Sequence, residues 1–126
     1  MTIVVLDASL TVRLKIKELL LDINVDEIDI ELYEDARDAL DFIRQNGSDL
    51  IFSSIETAGL DGISFVDILL TDNPNYVSKL FIVTSQHHNE NIDDIKGVGA
   101  KRFIKKPINE EYFKHFIIPE IEKILK

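Results

Sequence analysis

The sequence predicts an α/β protein built on a parallel sheet with helices on both faces. Three observations predict it. Five short apolar runs alternate with segments of helical periodicity, the order in which strands and helices follow one another in a parallel α/β domain. The run Ile3-Val4-Val5-Leu6 is apolar at every position, as a strand buried on both sides must be. The connections are of ordinary length, with no repeat, linker or low-complexity tract between them.

Each element has its own signal. Residues 3–6 form the first apolar run, and Ser9 is placed to cap a helix over residues 10–20. Residues 28–32 read as the second strand. Asp35 caps the second helix, whose apolar face is Ala36, Ala39, Leu40 and Ile43 and which Gly47 stops. Residues 50–52 are the third strand, and a helix over 63–70 ends at Asn73-Pro74. Residues 80–83 give the fourth strand and 89–96 a short polar helix. Residues 103–104 are the core of the fifth strand. Asn109 caps the last helix, with Tyr112, Phe113, Phe116, Ile117, Ile121, Ile124 and Leu125 as its predicted buried face. Pro119 sits inside that helix and should kink it or remove a backbone hydrogen bond.

The totals bound the function. A chain of 126 residues, 45% hydrophobic and 29% charged, is expected to form one domain over 1–126. It has no cysteine, hence no disulfide or thiolate metal site. No apolar run approaches the roughly 18–20 residues of a membrane span. The start MTIVVLDAS lacks a basic segment and places Asp7 against the first apolar run, so it does not read as a signal peptide; a cytoplasmic location is expected. The formal charge of −9 is lopsided: residues 1–63 hold 14 acids and 5 bases, residues 64–126 hold 9 of each. A direct nucleic-acid role is therefore not expected, because phosphate contacts need clustered bases. The run Lys101-Arg102 to Lys105-Lys106 reads as a solvated strand edge.

In an open parallel sheet, ligands bind beyond the carboxyl ends of the strands. Those ends carry Asp7-Ala8-Ser9, Ser54-Ile55-Glu56, Thr84-Ser85 and Lys105-Lys106-Pro107. Here VVLDASLTVR resembles the opening of response regulator receiver domains, and DLIFSSIETAGLDG resembles their third strand and loop. FIVTSQ is similar to their fourth strand with its switch hydroxyl, and GAKRFIKKPI to the Gly-Ala, aromatic and Lys-Pro signature of the fifth. The resemblance implies a flavodoxin-like, three-layer α/β/α fold with strand order 2-1-3-4-5, and a part in two-component phosphorelay signalling.

The departures from that family are specific. In working receivers, a carboxylate at the end of the third strand accepts the phosphoryl group and an acid pair after the first strand holds Mg²⁺. Here the acceptor position is Ser54, and the acid pair is reduced to Asp7 with Ala8 beside it. The Met-Pro usual in the following loop is Thr57-Ala58. Thr84, Phe103 and Lys106 are retained, Thr84 and Phe103 as switch positions. A serine needs an adjacent base to become a nucleophile, and no His stands at a matching strand end. Mg²⁺ prefers octahedral oxygen ligands that include carboxylates; only Asp7 and Glu56 are candidates. Lys106 is expected to pair with Asp7, or to turn toward Glu56 or solvent, because an unpaired ammonium in a half-buried cleft is costly.

The sequence thus predicts a degenerate receiver with no catalytic residues and no cofactor, working as a protein-interaction module. Its partner would be a signalling kinase, an output domain, another regulator or a second copy, docking through the fourth helix, fifth strand and last helix. The acidic stretch 26–41 offers a second face, for a basic partner. Two other readings stand beside this one. Ser54 or Glu56 serves as a non-standard phosphoryl acceptor, or the strand-end cleft binds a small molecule. The pair His87-His88 lacks a spaced third ligand and reads as a loop, His115 as a surface residue, and Asp61-Gly62 as a turn and helix start.

Overall fold

The computed structural model describes residues 1–85 and 89–126, the side chains of residues 89–92 excepted. His87 and His88 lie outside the described residues.

Five parallel strands, β1 (Ile3–Leu6), β2 (Ile30–Tyr33), β3 (Leu50–Ser54), β4 (Leu80–Ser85) and β5 (Phe103–Lys106), form one sheet in the order β2-β1-β3-β4-β5. Between them run α1 (Leu10–Leu21), α2 (Ala36–Asn46), α3 (Gly62–Asp72) and α4 (Asn89–Gly97). The chain thus has the predicted flavodoxin-like fold. The strand alternation sorts the core into two layers. Ile3, Val5, Leu50, Phe52, Phe81 and Val83 meet α1 and the C-terminal helix, with Phe52 stacked on Phe81 at 5.4 Å between ring centres. Val4, Leu6, Ile51, Leu80 and Ile82 meet α2, α3 and α4 on the other face. Both faces are apolar because both are covered, which is why the strands lack a polar alternation.

The predicted caps form. Ser9 accepts from the Val12 amide at 3.3 Å, Asp35 from that of Arg37 at 2.8 Å, and Asn109 from that of Tyr112 at 2.9 Å. Gly47, at φ 73°, ends α2 with its N–H on the Ile43 carbonyl at 2.7 Å.

Two expectations are corrected. The second strand starts at Ile30 rather than at 28: Glu27–Asp29 is a 3₁₀ turn, and Ile28 is 80% exposed. Asp26 caps that turn and keeps Ile28 and Asp29 out of the ladder, so the strand starts two residues later. In the C-terminal helix, Tyr112 and Phe116 are 50% and 62% exposed, their rings tilted against one another with centres 4.9 Å apart. The buried stripe is the narrower Phe113, Ile117 and Ile121. The helix opens as α5 (Glu110–Tyr112), widens into π turns over Phe113–Ile117 and closes as α6 (Ile118–Leu125). Within the wide turns the Ile118 amide reaches the Phe113 carbonyl. Pro119 explains the widening: it has no N–H to donate and its ring would strike a carbonyl one turn back, so the ladder shifts register ahead of it.

The Asp61-Gly62 step joins the sheet to α3. Asp61 accepts from the Ser64 amide at 2.9 Å and from its hydroxyl at 2.8 Å, and the Ser64 amide above all holds the carboxyl below its ordinary value of 3.8. Gly62 lies against the end of β3: a Cβ there would fall 2.3 Å from the Ser54 carbonyl oxygen and 2.5 Å from Ile55 Cα. Gly62→Ala should therefore cost about 2–3 kcal/mol, read as a lower urea midpoint, since backbone must move to admit the methyl. Gly97→Ala, whose Cβ meets nothing within 4 Å, should leave the midpoint unchanged or raise it slightly. Asp61→Ala should cost about 1 kcal/mol at neutral pH. Because the folded carboxyl titrates below its ordinary value, that contribution is present above pH 3.8 and fades as pH falls through the lower folded value. Urea midpoints of wild type and variant should therefore converge only below pH 3.8.

Candidate functional site

The parallel register sets the carboxyl ends of β1, β3, β4 and β5 at one level. Leu6 pairs with Ser53, Ser54 with Val83, and Ser85 with Lys106. Side chains at these pairs or one step beyond them meet in a cleft, and three of the sequence-predicted residues, Asp7, Ser54 and Lys106, converge there.

Lys106 is the centre. Its Nζ lies 2.8 Å from Asp7 Oδ2 and donates to Ser54 Oγ at 3.1 Å. Asp7 is 2% exposed and Ser54 1% exposed. The second carboxylate oxygen of Asp7 accepts from the Ser9 amide at 2.9 Å, so the residue that caps α1 also fixes the acid. Oδ2 meets the ammonium as a close charge contact at 2.8 Å and accepts no hydrogen bond of ordinary geometry among the described residues. Ser54 Oγ also accepts from the Glu56 amide at 3.0 Å, which shapes the turn leaving β3. The expected Lys106–Asp7 pair is the one formed, and Ser54 bonds locally, as the plain reading of it anticipates.

The remaining site residues take other places. Ala8 and Glu56 are exposed, and the Ala8 amide donates to the Glu56 carbonyl oxygen at 3.2 Å. Thr84 is buried, with its hydroxyl 3.4 Å from the Ser85 carbonyl oxygen. Phe103 is half-buried, packed on the α4 side of the sheet with Lys96 Nζ 5.4 Å from its ring centre. Thr84 and Phe103 thus lie beside the Asp7–Lys106–Ser54 cluster rather than in it. His115 is at the surface with Glu111, at 3.5 Å.

Two features take no role from the sequence alone, although Arg13 belongs to the VVLDASLTVR motif. Arg13 Nη1 donates to the Asp7 carbonyl oxygen at 2.6 Å, so a guanidinium closes the strand end from α1. Its only signal is its place, four residues after the capping Ser9. The second is the loop after β3, which is pinned to the loop after β2. The Ala58 amide donates to the Glu34 carbonyl at 3.1 Å, and the Ala36 amide to the Ala58 carbonyl at 2.9 Å. A proline at position 58 would remove the first of these bonds, which gives the Thr57-Ala58 departure a structural counterpart.

The donors suit a lysine better than a divalent cation. The cleft holds one buried carboxylate, with one oxygen on an amide and the other on an ammonium, beside an apolar Ala8. No group of three His, Asp or Glu side chains able to hold a metal is found among the described residues. Mg²⁺ asks for six oxygens in tight octahedral order, and this set does not fit it. Ser54 is equally ill placed as a nucleophile: its oxygen already accepts two hydrogen bonds, and the lysine beside it faces a carboxylate and donates to that oxygen instead of accepting its proton.

Comparison with known proteins agrees with this architecture. The model of the response regulator receiver domain family matches residues 3–117. The fold is similar to that of NtrX from Brucella abortus, at 22% identity and a TM-score of 0.80, over 99% of this chain and 28% of that one. The chain therefore spans little more than a quarter of that protein's length. It is similar to the isolated receiver domain of NtrX at 23% identity and a TM-score of 0.79, over 95% of this chain and 98% of that one. It is similar to the chemotaxis response regulator CheY4 of Vibrio cholerae at 22% identity and a TM-score of 0.79, over 94% and 97% of the two chains.

Breaking the buried pair from one side should be costly. Asp7→Leu alone should lose about 3 kcal/mol of stability, because it strands the Lys106 ammonium beside a hydroxyl. Asp7→Leu with Lys106→Met should lose clearly less than the two single losses added together, a coupling that a double-mutant cycle in urea measures.

Proposed function

We propose, for a chain that belongs to the response regulator receiver domain family, a role in which the receiver signals by contact and not by carrying a phosphoryl group. It is a receiver of two-component signal transduction; the phosphorylation-independent, bacterial interaction module is our reading of it. One observation carries the reading: the place of the acceptor carboxylate is held by Ser54, whose oxygen is tied to Lys106. The loss of acids and the engagement of the remaining one agree with each other. A lysine that would otherwise meet an incoming phosphoryl group is occupied by Asp7 at 2.8 Å.

The docking surface in this reading is the face made by α4, β5 and the C-terminal helix. It carries the exposed Tyr112–Phe116 pair and the bases Lys101 and Lys105. Aromatic anchors inside a charged rim are the residues that contribute most where proteins meet. The partner would be a signalling kinase, an output domain or another regulator. No catalytic step and no cofactor form part of the proposal.

The test is direct. With Mg²⁺ and acetyl phosphate, or with a beryllofluoride mimic, the protein should show no added mass. Its amide signals at Ser54, Thr84 and Lys106 should not move. A stoichiometric adduct on Ser54 or Glu56 would replace this reading with that of a working receiver using an unusual acceptor. Restoring the acids supplies the positive control. Ala8→Asp with Ser54→Asp should lower the melting temperature without metal, through like-charge crowding near Asp7, and regain stability when Mg²⁺ is added.

A further inference from the structure

Two surfaces outside the cleft complement one another. The first is the 3₁₀ turn before β2. Ile28, at 80% exposure, projects from it between Asp26, Glu27 and Asp29. Lys17 takes up the charge of Glu27 at 2.7 Å, and the turn remains acidic. A single exposed apolar side chain is ordinary by itself. The second surface is a crevice of about 330 Å³ between the start of β5 and the C-terminal helix. Phe81 and Ile117 floor it, and Phe103, Tyr112 and Phe116 wall it. Its rim is basic: Lys101 and Arg102 line it and Lys96 stands over Phe103. The one acid lining it among the described residues, Glu120, lies 3.7 Å from Arg102.

We infer that this chain associates head to tail, the acid-ringed Ile28 of one copy entering the base-rimmed aromatic crevice of the next. Charge is complementary: an apolar knob with acids around it faces aromatic walls with bases around them. The net charge of −9 makes the basic rim the exception on this molecule, so another copy is itself an acidic partner for it. The two surfaces belong to opposite edges of the sheet, β2 and β5, so one molecule cannot join its own. Such a contact is heterologous: each copy uses its knob on one neighbour and its hole on another, and the chain of copies does not close at two. One knob buries little area, so association is weak, with Kd on the order of 0.1–1 mM. The inference rests on the reading of the α4, β5 and C-terminal helix face as a docking surface, and names a second copy as an occupant.

Sedimentation velocity of the whole chain tests it. From micromolar to about 1 mM at low salt, the sedimentation coefficient should rise past the dimer value, and about 0.3 M NaCl should reduce the rise. Ile28→Asp and Phe116→Asp change exposed side chains, and each should hold the protein at the monomer value. Mixed in equal amounts, the two variants retain one knob and one hole between them, so the mixture should associate again and stop at a dimer. Wild type that stays monomeric throughout, or a mixture that stays monomeric, would overturn the inference. If Phe116→Asp abolishes association and Ile28→Asp leaves it intact, the docking face stands and the knob does not. If neither variant alters it, both fall.

Discussion

The ammonium of Lys106 stands between one carboxylate and one hydroxyl, and the character of the cleft follows from that balance. A receiver that carries phosphate gathers several acids around one lysine, and a cation offsets them. Here the acids have dropped to Asp7 and the charges cancel without a metal. Asp7 is nearly out of water and Lys106 is largely shielded, so loss of either leaves the other poorly compensated. The Ser9 amide and the Arg13 guanidinium, both presented by the start of α1, fix Asp7 from its own loop. The same few residues therefore cap a helix, end a strand and neutralise a lysine.

The surroundings are built to keep that arrangement still. The loop leaving β3 is held at three points: by the Ala8 amide on Glu56, by the exchange between Ala58 and the β2 loop, and by the seat of Gly62 against Ser54. A loop tied in this way has fewer arrangements open to it than one held only at its ends. Thr84 on β4 and Phe103 on β5 stay outside the charge cluster. A cleft with balanced charges and a tethered loop suits a module that presents one constant shape to its partners.

Charge is divided across the sheet as well as balanced within the cleft. The edge at β2 carries the acidic stretch and the edge at β5 the basic rim, an asymmetry that steers partners by long-range attraction and weakens with salt. The π turns of the C-terminal helix sharpen it. The register shift ahead of Pro119 accompanies a narrow buried stripe, with Tyr112 and Phe116 left outside as a tilted aromatic pair beside the bases.

Local rules determined much of this protein from the sequence. Strand runs buried on both faces, the caps Ser9, Asp35, Asp61 and Asn109, and the stop at Gly47 are set by residues a few positions apart, so they are legible in order along the chain. So was the list of groups at the strand ends, and with it the expectation that Lys106 would seek Asp7. The tertiary structure decided what depends on distant segments or on a small shift of register. Ile28 reads as strand until the Asp26 cap pulls it out of the ladder. Tyr112 and Phe116 read as core under a uniform helical period, and a π widening breaks that period. The tie between Ala58 and Glu34, and the placing of Arg13 over the Asp7 carbonyl, join residues whose neighbourhood exists only once the sheet has brought its loops to one level.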